Sequence, residues 1–179
     1  MKKMLVHICC APCFVAPLFR LRESFELTGF WFNPNIHPVT EYYHRQKCLR
    51  DFISEENIML IEKDDYGLYD FLKQTLSIKT NRCSVCYYMR FDMTAKHAKI
   101  GNFDYFSTSL LYSKRQNHEL IKEICNSVAQ KHDIEFFYQD FREDWHVGIE
   151  LSKEKNMYRQ KYCGCIFSEM ERYWKGDVL

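Results

Sequence analysis

Seven of the nine cysteines in this chain fall into three tight groups. Cys9, Cys10 and Cys13 sit in the run His7-Ile8-Cys9-Cys10-Ala11-Pro12-Cys13; Cys83 and Cys86 have the spacing Cys-x-x-Cys; Cys163 and Cys165 flank Gly164. A turn, or the first turn of a helix, converges the two thiols of such a pair, and four soft thiolates suit zinc or an iron–sulfur cluster. A zinc finger closes its two pairs over a short loop. Here the groups are about seventy residues apart, so the fold itself has to assemble any shared site.

One four-ligand centre uses four of the seven thiols. The other three are either structural or, with a carboxylate such as Asp140, ligands of a second metal. Neighbouring residues in extended backbone project to opposite sides, so Cys9 and Cys10 can serve different centres. Cys48 and Cys125 fall in expected helices without partners and read as small core residues. His7 reads as a hydrogen-bonded strand residue rather than a ligand. An odd number of cysteines and no export signal argue against a disulfide framework. A redox dithiol would use one pair and leave the other clustered thiols idle.

With 179 residues the chain suits one domain spanning 1–179. No run approaches the length of a membrane span. The apolar stretch after Lys2 and Lys3 breaks at His7, which argues against a signal peptide and places the protein in the cytoplasm. A net charge of +1 gives no global attraction to nucleic acid, and leaves a local patch drawn from Lys47, Arg50, Arg82, Arg90, Lys114, Arg115, Arg142, Arg159 and Lys161.

Strands are expected at Met4–Ile8, 30–32, 58–62, 105–108 and 134–138, alternating with helices over 14–25, 40–56, 68–76, 83–99 and 117–131. Gly29 reads as the end of the first helical unit and Pro17 as a first-turn proline. The segment from Lys79 to Arg82 delivers Cys83 to a helix start. From Gly148 to Trp174 the chain reads as helical, interrupted at Tyr162–Cys165. This order predicts an α/β fold with a mainly parallel sheet, whose sites form beyond the carboxyl ends of the strands.

His7 to Cys13, Asn33-Pro34-Asn35-Ile36-His37-Pro38 with Glu41, Tyr42 and Arg45, Arg82-Cys83 with Cys86-Tyr87, and Tyr158 to Cys165 together resemble the QueH-type epoxyqueuosine reductases. The resemblance runs from His7 to about Glu169, with the motifs in the family's order. It implies an adenine nucleotide alpha-hydrolase-like (HUP) fold. It also implies the cobalamin-independent last step of queuosine synthesis on tRNA, in which the epoxide of epoxyqueuosine becomes an alkene. It further implies a [4Fe–4S] cluster beside a single metal ion, iron or zinc. The ligands would come from Cys9, Cys10, Cys13, Cys83, Cys86, Cys163 and Cys165, with Asp140 as a further metal ligand. Asp140, Tyr158 and Tyr162 are the candidate proton donors. Arg45, Arg82, Arg142 and Arg159 are the candidate contacts to the anticodon region of the tRNA, and an external donor supplies electrons. The family commonly has a serine after the third cysteine, where this chain has Phe14.

Two rivals make different demands. An ATP-using tRNA-modifying enzyme of the same fold group needs a Gly-rich phosphate loop after the first strand, where this chain has Cys9–Cys13 and no glycine. A non-catalytic RNA-binding module with zinc bound to thiolates needs no iron.

Overall fold

Met4, Leu5 and Val6 are at most 1% exposed, the pattern of a central parallel strand covered on both faces. Burying each contributes about 1.5–3 kcal/mol as an upper bound. The computed structural model describes residues 1–78 and 81–176. Lys79 and Thr80, part of the segment leading to Cys83, lie outside the described residues. The elements run β1 (Lys2–His7), α1 (Ala11–Leu21), β2 (Phe25–Trp31), α2 (Val39–Glu55), β3 (Met59–Glu62), α3 (Leu68–Leu76) and α4 (Arg82–Ile100). They continue with β4 (Tyr105–Thr108), α5 (His118–His132), β5 (Glu135–Phe136), α6 (Trp145–Glu154) and α7 (Ile166–Tyr173). The strands form one all-parallel sheet in the order β3-β2-β1-β4-β5. This matches the expected α/β class and the HUP arrangement.

The region between β1 and β2 departs from expectation. Helix α1 begins at Ala11 rather than Phe14, because Pro12 fits a first turn where no backbone N–H is required. Pro17 therefore lies inside the helix, where it cannot bond the Cys13 carbonyl. The helix ends at Leu21, and β2 starts at Phe25, paired with Lys2. Gly29 is a strand residue, not a terminator. A Cβ there would stand 2.8 Å from Ile8 Cδ1, so its bare backbone lets the loop after β1 pack down on β2. Phe14 is fully buried, edge-to-face with Phe52.

β1 lies between β2 and β4, where the strand order reverses, and a crevice opens there beyond the carboxyl ends. Cys9 and Cys10 follow β1 directly. The two helices of the last third, α6 and α7, leave residues 155–165 irregular between them. Among the described residues, no helix is long and apolar enough to cross a membrane.

Candidate metal–thiolate site

The loop after β1 is pinned on three sides. Asn33 Nδ2 donates to the Ile8 carbonyl (2.9 Å), and the Cys9 N–H donates to Ser109 Oγ (3.3 Å). His7 Nε2 lies 3.3 Å from the Phe32 carbonyl and 3.2 Å from Asn33 Oδ1. Both are acceptors, so Nε2 carries the proton and Nδ1 accepts from Thr108 Oγ1 at 3.1 Å. The ring is thus fully engaged as structure, and burial lowers its pKa to about 3. These bonds fix three sulfurs: the Sγ atoms of Cys9, Cys10 and Cys13 lie within 4.8 Å of one another, Cys9 and Cys10 3.7 Å apart. Two thiolates on one tetrahedral ion stand about 3.8 Å apart at the usual metal–sulfur bond length, so the group is near the spacing one ion requires. Hydrogen bonding from Cys10 and Cys13 holds the Cys9 thiol well below its ordinary range, while burial pushes Cys10 up. Gln160 Nε2 donates to the sulfurs of Cys10 (2.9 Å) and Cys13 (3.5 Å).

The second and third cysteine groups each sit at the start of a helix. Asn81 caps α4 by accepting from the Ser84 N–H (3.3 Å), which sets Cys83 and Cys86 in the opening turns. Cys165 caps α7, its sulfur accepting from the Ser168 N–H (3.4 Å). The loop carrying Cys163 is tied to the Asn33–Pro38 turn and to α2. Arg45 donates to the carbonyls of Tyr162 and Cys163 (3.0 Å each), the His37 N–H donates to the Gly164 carbonyl (2.7 Å), and Tyr162 Oη donates to the His37 carbonyl (2.6 Å). Gly164 has φ +135°, and a Cβ there would stand 3.1 Å from Arg45 Nη1. Burial first, and then the charges of Cys163 and Cys165, raise the Cys83 thiol. Cys86 is pushed up to about 12, mainly by burial. Arg90, also buried, donates to the Cys86 carbonyl (3.1 Å) and to the Cys86 sulfur (3.2 Å).

A cavity of about 330 Å³ touches both groups, through Cys9 and Cys13 on one side and Cys163 on the other. Gln160 and Gln116 stand on its wall, and Gln116 Nε2 donates to the Cys163 sulfur at 3.3 Å. Tyr112 and Trp145 form a stacked pair on another wall, their ring centres 5.2 Å apart. Arg115, Arg159, Lys161 and Arg172 complete the lining, and none of them has a carboxylate partner among the described residues.

The other expected site residues divide. Tyr162 lines the cavity, and burial raises its pKa. Tyr158 donates to the Glu41 carboxylate and is pushed up to about 12, chiefly by burial. Asp140 is a correction as proton donor and as metal ligand. Arg142 bonds both of its oxygens and lowers its pKa to about 2, so it holds no proton near neutrality. Asp140 is not among the residues that line the cavity. Arg45 is a correction as an RNA contact, since it is fully buried and paired with Glu41 at 2.7 Å. Arg82 pairs with Glu171 and lies over Phe167, and Arg142 is held by Asp140. Of the four expected RNA contacts, Arg159 alone lines the cavity. Lys47 and Arg50 pair with Asp51 and Glu62, away from any shared patch. Arg115 was among the basic residues expected to form a local patch; Arg172, Gln116 and Trp145 carried no sequence signal. Arg90 did: it follows Cys86 by four residues, one helical turn.

A parallel sheet with a cavity at its reversal point, lined by Cys9 and Cys13 from the loop after β1 and by Cys163 from the C-terminal loop, defines a Rossmann-like α/β protein with cysteines gathered from distant parts of the chain. Comparison with known proteins makes the class specific. The family model described as epoxyqueuosine reductase QueH matches residues 4–171. The chain is 34% identical to the epoxyqueuosine reductase QueH of Dehalococcoides mccartyi, over 97% of this chain and 96% of that one. It is 32% identical to the protein of the same name from Thermotoga maritima, over 96% and 93% of the two chains. It belongs to the QueH family of epoxyqueuosine reductases and is an oxidoreductase.

Proposed function

We propose that this protein removes the epoxide oxygen of epoxyqueuosine in tRNA, taking up two electrons and two protons and giving the alkene of queuosine and water. The observation that carries the reading is that, in a chain of this family, the sulfurs of Cys9, Cys10 and Cys13 close to the spacing of a metal site and open on one cavity with Cys163. Cys83, Cys86, Cys163 and Cys165 offer the four soft donors a [4Fe–4S] cluster takes. The buried Arg90 beside them, with no carboxylate partner among the described residues, fits an anionic occupant. Cys9, Cys10 and Cys13 suit one further ion, iron or zinc. When bound, the cluster supplies electrons singly and the ion supplies a Lewis acid for the epoxide oxygen.

The chain's own residues do the rest. The cavity volume suits a single nucleoside side group brought out of the RNA stack. The Tyr112–Trp145 pair offers it a ring face. Tyr162, the one expected acid among the cavity-lining residues, keeps its proton at neutral pH and would exchange its bond to the His37 carbonyl for the substrate oxygen. Arg115, Arg159, Lys161 and Arg172 meet the flanking phosphates. An external reductant delivers the electrons, and the substrate places the protein in the cytoplasm.

Mass spectrometry of epoxyqueuosine-containing tRNA after turnover with the anaerobically loaded protein tests the reaction. Loss of one oxygen mass is expected; an unchanged mass with fully loaded protein counts against it. The rim has its own test. Replacing Arg115 and Arg172 together by glutamine should weaken tRNA binding and reduce the slope of log K against log salt by about two. Fluorescence anisotropy across a salt series reads this, and an unaltered slope removes both residues from the interface.

A further inference from the structure

Arg90 is the most costly unexplained feature of the core. It stands on α4 one turn beyond Cys86 and is 1% exposed. A guanidinium cannot shed its proton in a protein, and burying it without a counter-charge is strongly unfavourable. Arg45, buried to the same degree, has Glu41. Arg90 has no carboxylate partner among the described residues. Its acceptors are the Cys86 carbonyl and the Cys86 sulfur, with the rings of Tyr87 and Phe91 at 5.6 and 6.0 Å. Those ring contacts offset only part of the cost. The groups that could offset its charge are thiols: Cys86 in direct contact, then Cys163 and Cys9, and Cys86 itself is neutral near pH 7 without a metal. Cys86 and Cys163 belong to the group of four and Cys9 to the group of three, so its charge reaches both groups.

A residue serving only to pack α4 would be better as methionine, which fills similar space at no desolvation cost. We infer that Arg90 is a positioning residue for the four-thiol centre: its charge and its N–H to the Cys86 sulfur stabilise the added electron and raise the centre's reduction potential. The inference rests on the reading that these thiols hold an iron–sulfur cluster. Hydrogen bonds to sulfur and local charge are general determinants of such potentials, and a dry site amplifies both.

The test compares the parent with Arg90→Met, Arg90→Gln and Arg90→Lys, all reconstituted anaerobically with iron and sulfide. Midpoint potentials come from redox titration followed by electron paramagnetic resonance. Arg90→Met is expected to shift to a more negative potential, and Arg90→Lys to fall between it and the parent. A parent-like midpoint in Arg90→Met overturns the inference and leaves the proposed reaction standing. A parent that takes up no iron and sulfide overturns both. If Arg90→Met does not load, Arg90→Gln reads the loss of charge with an N–H retained. Failure of both neutral variants to load while Arg90→Lys loads supports the charge; failure of all three assigns Arg90 to packing and overturns it. Thermal unfolding gives a second readout. In the metal-free protein Arg90→Met should unfold at the parent's temperature or higher, because an uncompensated buried charge has been removed. In the loaded protein it should unfold lower. A lower temperature in both states contradicts the inference.

Discussion

Cys86→Ser is expected to yield a folded protein that cannot hold its four-thiol centre. Cys86 is buried on the first turns of α4, and its sulfur is the one that Arg90 contacts directly. A serine hydroxyl is a hard, poorly ionised donor and does not replace a thiolate on iron. Without metal the Cys86 thiol, pushed up to about 12, is already neutral, so the change adds no charge penalty beside Arg90; what it removes is the thiolate that loading would create there. Iron at that centre should fall from about four per chain to near none, the visible absorption should disappear, and deoxygenation should drop to background. Cys125→Ala is the control. Cys125 is fully buried on α5 among apolar neighbours, so its loss should cost about 1 kcal/mol through a small cavity and leave iron and turnover intact. Iron and sulfide assays on both variants check this. Retention of a full iron complement in Cys86→Ser would remove Cys86 from the ligand set.

The largest expected effect on stability is at Arg45. Its guanidinium joins two segments: Glu41 on its own helix at 2.7 Å, and the Tyr162 and Cys163 carbonyls of the C-terminal cysteine loop at 3.0 Å. The side chain is fully buried and that of Glu41 is 7% exposed. Arg45→Ala therefore strands a buried carboxylate, with Tyr158 as its remaining donor, and frees the loop that carries Cys163. Breaking one side of a buried pair costs about 3–5 kcal/mol, a fall in melting temperature of roughly 6–20 °C for a chain of this size. The double replacement Glu41→Gln with Arg45→Met should recover more than half of that, because no unpaired charge remains. Thermal unfolding of the three metal-free proteins measures both effects. A loss below about 1 kcal/mol in Arg45→Ala would mean that water reaches the pair.

Much of this arrangement was legible in the residues. The run Met4-Leu5-Val6 ahead of the cysteines announced a central buried strand, and the alternation of strands with long helices announced a parallel sheet. The spacing of the cysteine groups required a site assembled by the fold. The closing of Cys9, Cys10 and Cys13 on one another and the arrival of Cys163 at the same cavity were not legible, since they depend on strand order and on the long-range bonds from Arg45 and His37. Asp140 misled because a carboxylate after a strand looks like a site residue until a neighbouring guanidinium, here that of Arg142, takes both of its oxygens. Arg45 misled because burial of a charged side chain follows from what packs over α2. The start of α1 was a matter of local chemistry: Pro12 is a first-turn residue and Pro17 an interior one.

The central claim is that the thiols form two separate centres of different kind. Inorganic sulfide and metal content of the anaerobically loaded protein, measured beside Cys10→Ala, tests it most directly. Cys10 belongs to the group of three alone. The account predicts about four sulfides per chain in both proteins, with a single metal ion missing from Cys10→Ala. Loss of sulfide in Cys10→Ala, or no sulfide in either protein, would contradict it.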